Sequence, residues 1–148
     1  MKFLLVIVLL IPSTVYGQTD DHKLIDTISY ISVAANLTLD TINSLQSEDR
    51  TNALKNQAIR TSITIGTSEL LKRIIHETRP DLSDDMSWPS EHSALSCVSV
   101  NVRDGKKFAV EFPVAFLTMF GRVKAHKHYW WDVLSGCGIG IAAGFIVQ

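Results

Sequence analysis

Apolar residues recur at steps of three and four along the first half of the chain. Leu24, Ile28, Ile31, Ala35, Leu39, Ile42 and Leu45 form one stripe; Ile59, Ile63, Gly66, Leu70 and Ile74 form a second. That spacing predicts two amphipathic helices joined by a polar connection from Ser47 to Arg50. The second helix should stop near Pro80, because proline disfavours helix in the residue before it. An acidic loop over residues 81 to 88 follows, with Asp81, Asp84 and Asp85. Ser90 is a good N-cap and predicts a third helix running to the turn at Asp104-Gly105. Residues 107 to 120 are mostly apolar, and Pro113 should begin or kink a helix there. The last segment, from about His128 to Val147, carries Gly136, Gly140 and Gly144 at four-residue steps, a face that lets another helix approach closely. No useful strand-like alternation and no internal repeat appear. The pattern predicts an all-α fold, a helical bundle of about five to six helices.

Length bounds that bundle to one domain: the chain has 148 residues, 46% of them hydrophobic. A formal net charge of −1 leaves no general basic field, which argues against a nucleic-acid partner. Any anion must be held by a few local cations. Lys2, the apolar run Phe3 to Ile11 and the small residues near Gly17 predict a secretory signal over residues 1–17, with residues 18–148 as the mature domain. The expected location is therefore secreted or periplasmic. The apolar stretches at 108–120 and 133–147 fall short of the ~20 residues needed to span a bilayer. The first two helices are rich in Thr, Ser and Asn, so a soluble or membrane-surface-associated bundle is expected over an integral one. Export gives Cys97 and Cys137 an oxidising compartment in which a disulfide can persist. Pairing would close a loop of about forty residues; two buried thiols are the other reading, and spacing does not choose between them.

Three short blocks carry candidate chemistry. In the first, Lys72 and Arg79 lie nearly two helical turns apart and can point the same way. The second, Pro89-Ser90-Glu91-His92, opens a predicted helix, where free N–H groups and the Ser90 hydroxyl favour an anion. The third places Arg122, His128 and Asp132 in order. His128 and Asp132 at four-residue spacing would share a helical face, and a carboxylate against one ring nitrogen leaves the other free to attack. Lys72, Arg79 and Arg122 could surround a phosphoryl group and stabilise its equatorial oxygens without a metal ion. Either His92 or His128 could attack on this reading alone. Taken singly, each block is better explained as a solvated helix face, a helix cap or a structural pair; their joint order changes that balance.

In combination the blocks resemble the tripartite signature of the type 2 phosphatidic acid phosphatases and vanadium-dependent haloperoxidases. Lys72, Arg79, Pro80, Pro89, Ser90, His92, Arg122, His128 and Asp132 all match it, across less than half of the chain. The resemblance implies that His128 is the nucleophile, oriented by Asp132, and that His92 is the general acid and then the base. It implies that Lys72, Arg79, Ser90, the backbone at Glu91 and Arg122 hold the phosphate, with no cofactor. The implied reaction is hydrolysis of a phosphate monoester or diphosphate through a phosphohistidine; the apolar last helix and the tryptophans lean towards a phosphorylated lipid over a small soluble ester. A weakly active member that binds phosphate or lipid headgroups, and a vanadate-dependent haloperoxidase, are the alternatives. Glu91 stands where the pattern has glycine and Gly121 where it has serine, departures expected to affect substrate choice or rate. His126 and His128 lack the further ligands of a metal site, and His22 and His76 read as surface residues. Trp88, Tyr129, Trp130 and Trp131 pack the core or line an apolar entrance. Asn36-Leu37-Thr38 forms a glycosylation sequon. Oligomeric state and leaving group are not legible.

Overall fold

A computed structural model describes residues 18–147, so the expected signal over 1–17 lies outside the described residues. Five helices follow in order: α1 (Gln18–Leu45), α2 (Arg50–Ile74), α3 (Glu91–Cys97), α4 (Gly105–Lys124) and α5 (Trp130–Ile146). The fold is all-α, as the periodicity predicted. The seven-residue α3 sits centrally and packs against all four of the others, so the long helices enclose it.

An apolar stripe on a helix ordinarily faces the core. Here it does not. On α1 the buried positions are Ser29, Ser32, Val33, Asn36, Asp40 and Ser44, while Leu24, Ile31, Ile42 and Leu45 are exposed. On α2 the buried positions are Thr64, Ser68 and Lys72, and the stripe residues Ile59, Ile63, Leu70 and Ile74 face outward. Many of these interior polar groups are bonded, which offsets the cost of burying them, although Ser68 Oγ has no partner. Asn36 donates to Ser96 O, Ser96 Oγ and Glu111 O, Asp40 pairs with Arg60, and Thr64 bonds back to Arg60 O. The same burial makes the sequon unusable, since Asn36 has no exposed surface. Among the described residues no helix is long and apolar enough to cross a membrane.

Helix ends also differ from the sequence expectation, and each difference moves a site residue. α2 stops at Ile74, short of Pro80, and the chain turns through a bridge between Glu77 and Met86. Arg79 therefore lies in a loop and not two turns along the helix of Lys72. α3 stops at Cys97 and not at the Asp104-Gly105 turn. α5 starts at Trp130, capped by Tyr129, which leaves His128 in the preceding loop. Pro113 sits inside α4, exposed, at a point where the helix continues.

The glycine face does what its spacing predicted. A Cβ on Gly136, Gly140 or Gly144 would fall 2.3 Å from Ser90 O, 2.1 Å from Ala94 O and 2.8 Å from Val98 O respectively, so α5 lies directly against the α3 backbone. A disulfide between Cys97 and Cys137 locks the same pair of helices. With a sequence separation of 40 between its ends, it is worth about 4 kcal/mol through the unfolded chain.

Candidate active site

All three sequence blocks meet at one end of the bundle. The C-terminus of α2 brings Lys72, the loop after it brings Arg79, the start of α3 brings His92, the last turn of α4 brings Arg122, and the entry to α5 brings His128 and Asp132. Lys72 Nζ donates to Met86 O at 2.7 Å, and Arg79 Nη2 donates to the same carbonyl at 3.3 Å. Arg79 Nε also donates to Asp84 at 2.6 Å, and Nη1 to Lys127 O at 3.1 Å. The helical alignment of Lys72 with Arg79 is replaced by convergence on one carbonyl.

His128 is 1% exposed and lies between a cation and a carboxylate. Its Nε2 is 3.2 Å from Arg79 Nη1, and its Nδ1 is 3.5 Å from Asp132 Oδ2. A guanidinium has only donors, so the Arg79 contact requires Nε2 to be the accepting nitrogen. The proton then sits on Nδ1, on the side of the ring nearest Asp132 Oδ2, where it makes no hydrogen bond. That tautomer puts the ring's lone pair on Nε2, where Arg79 Nη1 donates to it and an electrophile would have to take the place of that donor. At 3.5 Å the Nδ1 contact is an electrostatic approach and not a hydrogen bond. Asp132 Oδ2 is held by Ser87 Oγ at 2.5 Å and by the Tyr129 N–H at 2.8 Å, so the carboxylate is fixed independently of the ring.

Both imidazoles are held neutral. Burial, opposed by the Asp132 contact and reinforced by Arg122, Arg79 and Lys72, brings His128 from its usual 6.5 down to about 4. Burial, then the charges of Arg122, His128, Lys72 and Arg79, bring His92 to about 3. That four of these groups act on His92 together places both rings beside one set of cations. Because the folded state resists protonation, the stability contributed by the neutral rings is present above pH 6.5 and is lost as pH falls towards 4 and 3. Thermal melts should therefore show a falling midpoint across that window, and His128→Gln should flatten the slope.

Ser90 caps α3 as predicted, its Oγ accepting from the Ser93 N–H at 3.4 Å and Ser93 Oγ at 3.1 Å. Glu91 is half-buried close to Lys72 and Glu69; burial, then the Glu69 charge, push its carboxyl up. The acid at this departure thus has Lys72 as a counter-charge. Arg122 is buried and paired with Asp26 of α1, and its Nε has no partner. Asp26, Ser87 and Tyr30 were not singled out from the sequence. Nothing in their spacing marks them, because they join the site from outside the three blocks. Trp131 is exposed at the rim and donates to Glu77 Oε1 at 2.8 Å. His22 Nδ1 contacts Lys124 O, and His76 pairs with Asp85.

Among the described residues no group of three or more His, Cys, Asp or Glu is placed to hold a metal ion. A cavity of about 270 Å³ lies at the opposite end of the bundle, where Asp40, Arg60 and Glu111 face inward. None of the signature residues lines it, so it is separate from this chemistry.

The fold is similar to that in the crystal structure of Aquifex aeolicus LpxE, with a TM-score of 0.70 over 88% of this chain and 87% of that one, at 19% sequence identity. At that identity the likeness is one of fold. No family model and no curated protein matches the chain.

Proposed function

We propose that this chain is a metal-independent phosphatase of the type 2 phosphatidic acid phosphatase kind, acting through a phosphohistidine. The observation that carries the reading is His128, whose Nδ1 faces a fixed carboxylate while its Nε2 faces Arg79 among three cations. Nε2 attacks phosphorus, forming a P–N bond as the bond to the leaving oxygen breaks. His92 donates a proton to that oxygen. Water then attacks phosphorus with His92 taking its proton, the P–N bond breaks, and inorganic phosphate leaves. An incoming phosphate dianion offsets the surrounding cations and raises the pKa of His92, which arms it as the acid. Lys72, Arg79, Arg122 and the Ser90–Glu91 segment hold the equatorial oxygens and neutralise charge that grows in the transition state.

A lipid phosphate is favoured over a soluble ester by the apolar surface beside these cations. Leu70, Ile74 and Ile75 at the end of α2 and Trp130, Trp131 and Leu134 at the start of α5 are all exposed, and the two helices pack together. The same surface favours attachment at a lipid surface. Export, with loss of residues 1–17, fits a disulfide-bonded domain.

The test is release of inorganic phosphate from phosphatidic acid in mixed micelles and from p-nitrophenyl phosphate, using exported protein whose mass shows where it begins. Turnover is expected to be unchanged by a chelator and inhibited by vanadate. An absolute requirement for Mg²⁺ would overturn the mechanism.

A further inference from the structure

We infer that α1 completes the site with two positioning residues, Asp26 for Arg122 and Tyr30 for His92; the inference rests on the phosphatase reading above. The two lie one turn apart on α1 and so share a face. Asp26 takes Arg122 Nη1, and the guanidinium is otherwise buried, with 4% of the side chain exposed. Nε is left without a partner. With Asp26 on Nη1, the unpartnered Nε is left as a donor for a phosphate, while the Tyr30 side chain also acts on the same guanidinium. Tyr30 meets the His92 ring edge-on, with centroids 4.5 Å apart and planes at 85°, and Arg122 lies over the same tyrosine ring at 5.6 Å. One aromatic side chain thus touches both the proposed acid and a proposed phosphate ligand.

The departure at Gly121 belongs to the same device. A Cβ there would lie 3.0 Å from Ser29 Cβ and 3.3 Å from Ile25 O, so α1 packs where a serine would crowd it. Without that side chain, α1 comes close enough for Asp26 and Tyr30 to reach Arg122 and His92. The hydroxyl missing at residue 121 is replaced by groups from another helix. A purely structural strut between α1 and α4 would explain the Asp26 pair, but not the aromatic contact to His92.

Leaving-group dependence separates positioning from simple support. An aryl phosphate such as p-nitrophenyl phosphate needs little protonation of its leaving oxygen, whereas an alkyl phosphate needs it fully. Tyr30→Ala should lower kcat on an alkyl phosphate about tenfold or more and on p-nitrophenyl phosphate by about twofold or less. Tyr30→Phe keeps the ring and should recover most of the loss. His92→Ala should show the same selectivity more strongly. Asp26→Asn should weaken binding of inorganic phosphate, measured by calorimetry, by about tenfold. Equal losses on both esters in Tyr30→Ala, no loss at all, or unchanged phosphate binding in Asp26→Asn would overturn the inference. A native protein inactive on both esters fails the phosphatase reading itself; an active one with a flat leaving-group response fails only the positioning roles.

Discussion

His128→Ala should reduce turnover roughly 10,000-fold or more, the scale on which loss of a nucleophile acts. Among the described residues His92 is the other imidazole acted on by these cations, and its ring meets Tyr30 edge-on. Acid-labile phosphate trapped on the native protein during turnover should be absent from the variant. Folding should survive, because Asp132 keeps its bonds from Ser87 and the Tyr129 N–H when the imidazole is gone. Phosphate should still bind, since Lys72, Arg79 and Arg122 are untouched. That combination, binding without chemistry, distinguishes a lost nucleophile from a collapsed site. Turnover persisting within about tenfold of the native rate would mean that Nε2 of His128 is not where phosphorus is attacked.

What the sequence made legible, and what it hid, follows from which rules are local. The signature residues were readable as a group because they stand in a fixed order, and the helix ends bring them to one end of the bundle. Ser90 was readable as a cap because capping is decided within one turn. The glycine face was readable because close packing of α5 on α3 demands a fixed four-residue repeat. The inward faces of α1 and α2 were not. Counting apolar residues assumes that apolar side chains go inside, and here Ser32, Asn36 and Asp40 do. Ser32 bonds back to Ile28 O within α1, but the partners of Asn36, which are Ser96 and Glu111, and of Asp40, which is Arg60, lie on other helices, so those bonds are invisible to a periodicity count. Small interior residues also let the central α3 be wrapped closely, and that leaves Leu24, Ile31, Ile63 and Leu70 on the outside. The break after Ile74 was hidden for a related reason. Arg79 leaves the helix to bond Asp84 and the Lys127 and Met86 carbonyls, contacts made by tertiary structure alone. Asp26 and Tyr30 were hidden in the same way: their contacts with Arg122 and His92 depend on α1 lying against Gly121.

Two glycines two residues apart on α5 should respond to alanine with opposite signs. Gly138 is exposed and a Cβ there meets nothing within 4 Å, so Gly138→Ala should stabilise by up to about 1 kcal/mol through helix propensity. At Gly140 the same methyl would lie 2.1 Å from Ala94 O and 2.8 Å from the Val98 nitrogen. Those are backbone atoms of a helix that the Cys97–Cys137 bond prevents from moving away, so no rotamer change relieves the clash. Gly140→Ala should cost about 3 kcal/mol or more, a fall in melting temperature on the order of 10 °C. Gly136→Ala has a third signature. Its methyl would press on Ser90 O at 2.3 Å, in the segment that carries Ser90 and His92 into the site, so activity should fall at temperatures where the variant is still fully folded. Melts and phosphate-release rates on the three variants would test this set together. If Gly138→Ala and Gly140→Ala shift the melting temperature equally, α5 does not rest on the α3 backbone, and the cradle built on that contact is lost with it.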